Sequence, residues 1–379
     1  MTIRYYVSVE DSSGSVVDII NQPLSIAYDL GLSRRNVLTL QLSGYERYTL
    51  PQDSVLGLYR RDSRISPDFV NVANFIFKTE VKALAESGLK TRMVYGASPE
   101  ELIQKAVIAY PAGSAQTRKD GDAAQVLAEF VNENSGALAL TSNGRYVDHI
   151  TPLTVPTPSA VGLNWQGSRS GKSLMDVCQD IVSYARENGL RLDFRVTYSA
   201  GAYTLQVGIL GTDRTATAVN PATGLNGAGY RPIVISPLLE NMRSYQDSLA
   251  RMNEANVIIA LGAGEQEDRQ TAVAVNVASQ SATSLAHREA IVNATNETAS
   301  GLTAKATADL DMMVGKRNFS AQPDYTKVRL FADYNVGDFV TFETEDGERF
   351  NRQIMTGSVS VDLTGNDVVE KYSLEFDAL

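Results

Sequence analysis

The chain has 379 residues, enough for two or three domains and a sizeable core. At 43 % hydrophobic and 21 % charged it is ordinary globular material. Its 34 basic and 44 acidic residues leave a net charge of −10, which argues against a protein that grips nucleic acid, and its one cysteine rules out an internal disulfide framework. No apolar run approaches the roughly 18 residues of a membrane span, and the opening "MTIRYYVSVED" lacks the layout of a secretory leader. The expectation is a soluble chain made in a cytoplasm.

In chain order, Ile3, Tyr5, Val7 and Val9 alternate with polar residues, "DSSGS" turns the chain, and "VLTLQL" (37–42) and "VLGLYRR" follow as strands. "FIFKTEVKALAESGLKTRMVYG" continues the pattern, so the first ninety-odd residues read as a small antiparallel barrel or sandwich. Ser98-Pro99-Glu100 then opens a helix with an apolar face of Leu102, Ala106, Val107 and Tyr110. "GDAAQVLAEFVNEN" is a second helix, and "TPLTVPTPSAVG" (151–162) is a surface crossing.

Residues 161–182, "VGLNWQGSRSGKSLMDVCQDIV", contain a lookalike of a phosphate-cradling loop. The true loop needs four residues between its first glycine and Gly171-Lys172-Ser173, but the required position is Gln166, and Gly167 leaves the loop one residue short. A capped helix explains more. Ser173 and Asp176 fit a capping box, and Leu174, Val177, Cys178, Ile181, Val182 and Ala185 recur at three- and four-residue steps. Gly189 stands where a left-handed cap ends a helix. "LRLDFRVTY", the turn "SAGA" and "YTLQVGIL" then spell a hairpin, which completes a middle α+β domain ending near "NPATGLNGAGYRPIV".

In the last third, "NVIIALGAG" (256–264) reads as a buried strand entering a glycine turn. "ATSLAHREAIVNATNETASGLTAKATADLDMMVGKR" suggests one or two helices near 282–316. The remainder gives strands joined by turns at Asp346-Gly347 and Gly365-Asn366. The fold class expected is α+β and mainly β: two small antiparallel β-barrel domains, 1–95 and 238–379, flank a middle α+β domain, 96–237, with a helical insert in the last third.

A search for chemistry yields no persuasive catalytic site. His149 and His287 carry no metal-ligand spacing, and Cys178 on an apolar helix face reads as a buried hydrophobe. Gly262-Ala263-Gly264 lacks the third glycine of a dinucleotide loop and is followed by Glu265, Glu267 and Asp268, which would repel phosphates. Trp165 alternates with Val161 and Leu163 as a core-packing strand residue. The sequons at Asn293 and Asn296 have no secretory leader to make them meaningful. No catalytic, cofactor or metal residue is assigned, and the expectation is a non-enzyme.

The order of features along nearly the whole chain resembles the tail-hub proteins of siphophages, relatives of the baseplate hub of contractile-tailed phages. The residues that carry the resemblance are "VSVEDSSGSVVDII", "SIAYDLGLSRRNVLTLQLSG", "LNWQGSRSGKSLMDVCQDI", "LLENMRSYQDSLARMNEANVIIALGAGEQEDR", "HREAIVNA" and "FADYNVGDFVTF". The third of these is like that family's tryptophan–arginine–leucine helix entry, here through Trp165 and Arg169.

The resemblance implies a structural virion protein of a phage or phage-derived injection particle: a homotrimeric hub at the tail tip or baseplate with two tube-like barrels per chain. Three chains would then offer six barrels to a hexameric tail tube or distal tail protein, and threefold symmetry to a spike or fibre. DNA or a tape-measure protein would pass through the lumen without specific binding, which the acidic balance suits. The resemblance places the protein in the virion after synthesis in the bacterial host cytoplasm, with no membrane partner and no cofactor. It gives structural roles only: Arg269, Arg288 and Glu289 as candidates for subunit contacts, and Tyr334, Gly337 and Asp338 as a tight turn in which Gly337 supplies a positive φ. The alternative from another class is a tail-associated cell-wall (glycan) hydrolase, which would need a close carboxylate pair in a cleft of the middle domain.

Overall fold

The computed structural model describes residues 3–377 apart from 46, 85, 87, 89, 111–117, 150–152, 170, 283–285, 296–298, 314–315, 325 and 365–367. The Gly365-Asn366 turn and Asn296 therefore lie outside the described residues. Seven strands come first: β1 (Ile3–Glu10), β2 (Val16–Ile20), β3 (Ser25–Gly31), β4 (Val37–Ser43), β5 (Val55–Asp62), β6 (Val70–Leu84) and β7 (Lys90–Ala97). The two-residue period that marks them in sequence sets their inward faces. In β4, for example, Leu38, Leu40 and Leu42 are fully buried while the residues between them are not.

Helix α1 (Glu101–Gln104) is a single turn, shorter than the apolar spacing through Tyr110 suggested. The chain leaves the helix because Val107 and Ile108 (β8) pair antiparallel with Ser173 and Lys172, which buries Ile108 and leaves Val107 exposed. Next come β9 (Arg118–Asp122), α2 (Ala123–Ser135), β10 (Leu153–Thr154), β11 (Asn164–Ser168), β12 (Lys172–Ser173), α3 (Leu174–Glu187), β13 (Asp193–Ser199) and β14 (Ala202–Gly208). Asp122 caps α2 by accepting from the Ala124 N–H at 3.1 Å, and its other oxygen accepts from the N–H groups of Val161 and Gly162. All six apolar residues expected on one face of α3 are buried. Gly189 follows α3 with φ +73°, and Ala200-Gly201, both with positive φ, form the two-residue turn between β13 and β14.

The remaining elements are β15 (Asp213–Arg214), β16 (Val234–Ile235), β17 (Met242–Ala250), β18 (Val257–Leu261), β19 (Thr271–Val275), α4 (Val277–Gln280), β20 (Glu289–Asn293), α5 (Ala299–Met312), β21 (Lys316–Pro323), β22 (Phe339–Glu343), β23 (Arg349–Asp362) and β24 (Val369–Phe376). The chain forms two compact units, residues 1–245 with 320–376, and residues 246–319 with 377–379.

In the first unit the strands from the two ends of the chain share one sheet. Its order includes β24-β23-β3-β4-β7-β6-β5-β1-β2, and β23 meets β3 antiparallel from Thr356↔Gly31 to Asp362↔Ser25. Among the described residues this ladder is an open path, not a closed barrel. The path nevertheless curls, because side chains of β24 contact those of β1 and β5 although six ladder steps separate β24 from β5. The middle segment packs α2, α3 and the β13–β14 hairpin around Phe130, Trp165, Cys178, Ile181 and Phe194, and Val55 and Ile76 from the sheet join the same core. Burying each such large side chain contributes about 1.5–3 kcal/mol.

The second unit is a sheet in the order β19-β18-β20 with α5 packed on it. The stretch from which one or two helices were expected contains β20, parallel to β18. Its alternation, with Ala290 and Val292 toward the helix and Glu289, Ile291 and Asn293 outward, is that of a strand. The helix itself occupies Ala299–Met312.

Candidate functional site

At the would-be phosphate loop the backbone is already engaged. The Gly171 N–H donates to the Ile108 carbonyl at 2.7 Å, the Leu174 N–H donates to Ala106 at 3.0 Å, and Lys172 and Ser173 form β12. Lys172 is exposed and faces Asp180 at 3.6 Å. A phosphate cradle needs such N–H groups free and convergent, so the segment is a strand leading into a helix. Ser173 holds the cap position of α3, but its hydroxyl is buried without a hydrogen-bond partner, so the capping box expected from the spacing is not made. Asp176 remains in the first turn, where the helix dipole favours an acid.

Trp165 is buried and meets Phe130 edge-on with ring centroids 5.8 Å apart, while the Arg169 guanidinium stands 5.2 Å from the indole and 3.9 Å from Asp180. Together they fix the entry into α3. Arg269 donates to the Gly264 carbonyl at 3.1 Å within its own loop. Arg288 pairs with Glu254 at 3.1 Å, and Glu289 lies 2.9 Å from His287. Each of these three residues thus has a partner in its own chain.

Tyr334 is buried with its hydroxyl unpartnered, and Gly337 has φ +101°. Asp338 organises the turn: its carboxylate accepts from the Thr212 N–H at 2.8 Å, the Asn335 N–H at 2.9 Å and Arg214 Nε at 3.0 Å. This turn leads into β22, whose Phe339 and Val340 pair in parallel with Asp213 and Arg214.

The buried charges that tie distant segments together carry no local sequence signal. Glu370 on β24 is 1 % exposed and accepts from Arg60 through Nε and Nη2, each at 2.9 Å, and from the hydroxyls of Tyr5 and Tyr372. Burial, followed by neighbouring charges that include Glu370, holds the Tyr5 and Tyr372 hydroxyls well above the usual tyrosine range. Arg60 also contacts Asp62, whose pKa falls to about 2 chiefly because Arg64 hydrogen-bonds its carboxylate.

A second node is Asp193, fully buried, which accepts from Ser33, Arg186 and Gln353 and so links β13 to segments 160 residues away on either side. Burial raises its pKa, and Arg186 partly offsets that rise. Such positions are invisible to pattern reading because an isolated Asp or Glu in a strand looks like a surface residue until its partners arrive.

A cleft of ≈ 600 Å³ is lined by parts of β3, β6, β13 and the turn at 335–338. Its acids are committed elsewhere: Glu100 accepts from the Val196 N–H, Asp29 accepts from Ser358, and Asp338 binds its three donors. Among the described residues no cluster of His, Cys, Asp and Glu could hold a metal ion. His149 Nδ1 donates to the Asn134 carbonyl, 3.1 Å away. The described chemistry is that of acceptors and donors holding strands together.

Cys178 is fully buried, and burial pushes its thiol well above the usual range. We expect no reaction with a thiol probe in the native protein and stoichiometric labelling in denaturant. A colorimetric thiol assay with and without urea checks this, and native labelling within minutes would contradict the packing of α3.

No curated protein matches the sequence. The model of a family described as siphovirus ReqiPepy6 Gp37-like protein matches residues 83–369, more than half of the chain. Among solved structures the fold is similar to the 43 kDa tail protein of prophage MuSo2 from Shewanella oneidensis, at 11 % identity over 98 % of each chain with a TM-score of 0.55. It is also similar to a tail protein of Neisseria meningitidis MC58, at 11 % identity over 98 % of this chain and 96 % of that one with a TM-score of 0.55. A chain of the Francisella PdpA–VgrG complex matches at 10 % identity and a TM-score of 0.50, over 99 % of this chain and 52 % of that longer one. The fold is therefore that of phage tail proteins, and the chain belongs to the siphovirus ReqiPepy6 Gp37-like family.

Proposed function

We propose that this protein is the structural hub of a tail tip or baseplate, a homotrimer joining a hexameric tail tube to a threefold spike or fibre. The observation that carries the reading is the sheet shared by the two ends of the chain, in which β23 pairs with β3. It supports two tube-like modules, near residues 1–95 and 238–379, held side by side in one subunit with the middle segment outside. Three such subunits present six modules to a sixfold tube.

The similarity to a chain of a PdpA–VgrG complex supports a place next to a spike, and the net charge of −10 suits a lumen through which DNA or a tape-measure protein slides without lodging. The engaged state of the buried carboxylates favours this reading over a glycan hydrolase, which needs an acid pair open to substrate.

Light scattering coupled to size exclusion tests the reading. The expected result is a species of three times the 41.1 kDa chain mass, reached directly or as concentration rises. A strictly monomeric protein that clears cell-wall substrate would instead establish the hydrolase.

A further inference from the structure

The cleft beside β3, β6 and β13 opens where two strands of the large sheet stop short. β4 begins at Val37 and β7 ends at Ala97, paired with each other, while β3 and β6 on either side of them run on past that end. The ≈ 600 Å³ of space there is lined by residues 29–32, 70–75 and 195–198, among others. Each of these runs is consecutive. A strand that turns a face to a cavity contributes alternate residues, so consecutive lining means that strand edges, with their main-chain donors and acceptors, border the cleft.

Two of the three edges are engaged by side chains. On β3, Asn36 Nδ2 donates to the Gly31 carbonyl at 2.9 Å; on β13, the Phe194 N–H donates to Ser33 Oγ and the Val196 N–H to Glu100. The edge of β6 is open. Residues 70–75 pair with β5 on one side, β7 joins β6 only from Ile76 onward, and among the described residues no other group bonds their main chain. Proteins cover or blunt such edges unless something pairs with them. Phe331, also in the cleft wall, has φ +68°, a conformation that costs a bulky residue about 1–3 kcal/mol and is kept where position matters.

We propose that the cleft receives a short extended segment of another protein, added as a strand along β6. Six residues offer about 20 Å of edge, and the bulge at Val72 keeps the stretch that pairs in register short. In this mode main-chain hydrogen bonds give the affinity and alternate side chains the selectivity. The lining charges are already engaged: Asp29 with Ser358, Glu100 with Val196, Asp338 with its three donors, and Arg195 with Gln206. The neutral polar groups beside them are the amides of Asn71, Asn74 and Asn335. The segment that fits is therefore uncharged within the cleft, because an ion there would be desolvated without a free partner. An open main-chain edge favours a peptide over a saccharide, which would depend on uncommitted side chains.

Amide hydrogen exchange of the wild-type protein, read by mass spectrometry, tests this. The probe is the capped peptide Lys-Thr-Val-Thr-Val-Thr-Lys, with lysines only at its ends, beside the same peptide N-methylated throughout its core, which keeps the side chains and loses the main-chain donors. We expect the first peptide at saturation to slow exchange of the open-edge amides within 70–75 by about tenfold or more, and the methylated peptide to leave them unchanged. No protection by the first peptide, or equal protection by both, overturns the strand-addition site. Protection by chitobiose in place of the peptide assigns the cleft to a saccharide and overturns it as well. So does protection that grows with protein concentration alone, which assigns the edge to a second copy of this chain. The peptide arms read the same in a monomer or a trimer, so their outcome is separate from that of the proposed hub.

Discussion

Glu370→Ala should lower the free energy of unfolding by roughly 3–5 kcal/mol, the usual cost of leaving a buried charge without its partner. The substitution removes the two-point partner of Arg60, which is 6 % exposed and keeps only its longer contact with Asp62 at 3.4 Å, and it removes the acceptor of the Tyr5 and Tyr372 hydroxyls. Because these groups sit on β1, β5 and β24, the loss falls on the contact that curls the sheet. A urea titration followed by circular dichroism reads the effect as a fall in midpoint.

A paired replacement separates the charge from the packing. Arg60→Met with Glu370→Leu removes both ions, and it should cost much less than either ion lost singly. If the double replacement is as damaging as Glu370→Ala, the network contributes through shape and not through paired charge.

The same network gives a signed dependence on pH. The Tyr5 and Tyr372 hydroxyls are raised in the folded state by burial first and by neighbouring charge second. Their contribution is therefore complete below the unfolded tyrosine pKa of about 10 and falls as pH rises above it. The wild-type urea midpoint should drop more steeply between about pH 10 and 12 than that of a Tyr5→Phe, Tyr372→Phe variant.

Gly211→Ala is the second large effect. Gly211 has φ +114°, and a methyl group there would lie 1.9 Å from the Gly337 carbonyl oxygen, where the segment 210–214 crosses the turn into β22. Two penalties combine: a backbone conformation that L-residues avoid, about 1–3 kcal/mol, and overpacking against main chain, about 1–3 kcal/mol. The expected loss is roughly 2–6 kcal/mol. Gly347→Ala is the control, because Gly347 also has positive φ (+79°) but faces open space. It should cost only about 1–2 kcal/mol. Equal losses at the two sites would show that the crossing of 211 and 337 relaxes freely.

Much of the local structure was legible residue by residue. The three- and four-residue spacing of α3, the alternation of β13 and β14, and the positive-φ turn at Ala200-Gly201 each follow from side-chain periodicity or backbone sterics. Where local reading failed, a distant segment decided. The helix after Pro99 stops at one turn because Val107 and Ile108 find β12. Ser173 gives up its cap because that same pairing makes it a strand residue. In the second unit the expected helices gave way at Glu289–Asn293 because β18 offered a parallel edge.

The candidate site divides in the same way. Trp165 could be placed in the core from its alternation with Val161 and Leu163, whereas the turn at Gly337, which has φ +101°, was expected only from the family resemblance. The meeting of Arg60 with Glu370, 310 residues apart, had no signal in either neighbourhood. The sequence alone determined the α3 helix, the β13–β14 hairpin and which of their faces are apolar, because those properties depend on neighbours within a few residues. Only the tertiary structure decided that the first and last strands share a sheet and which charges are buried, because the energy of a buried ion is set by partners that chain folding brings from far away.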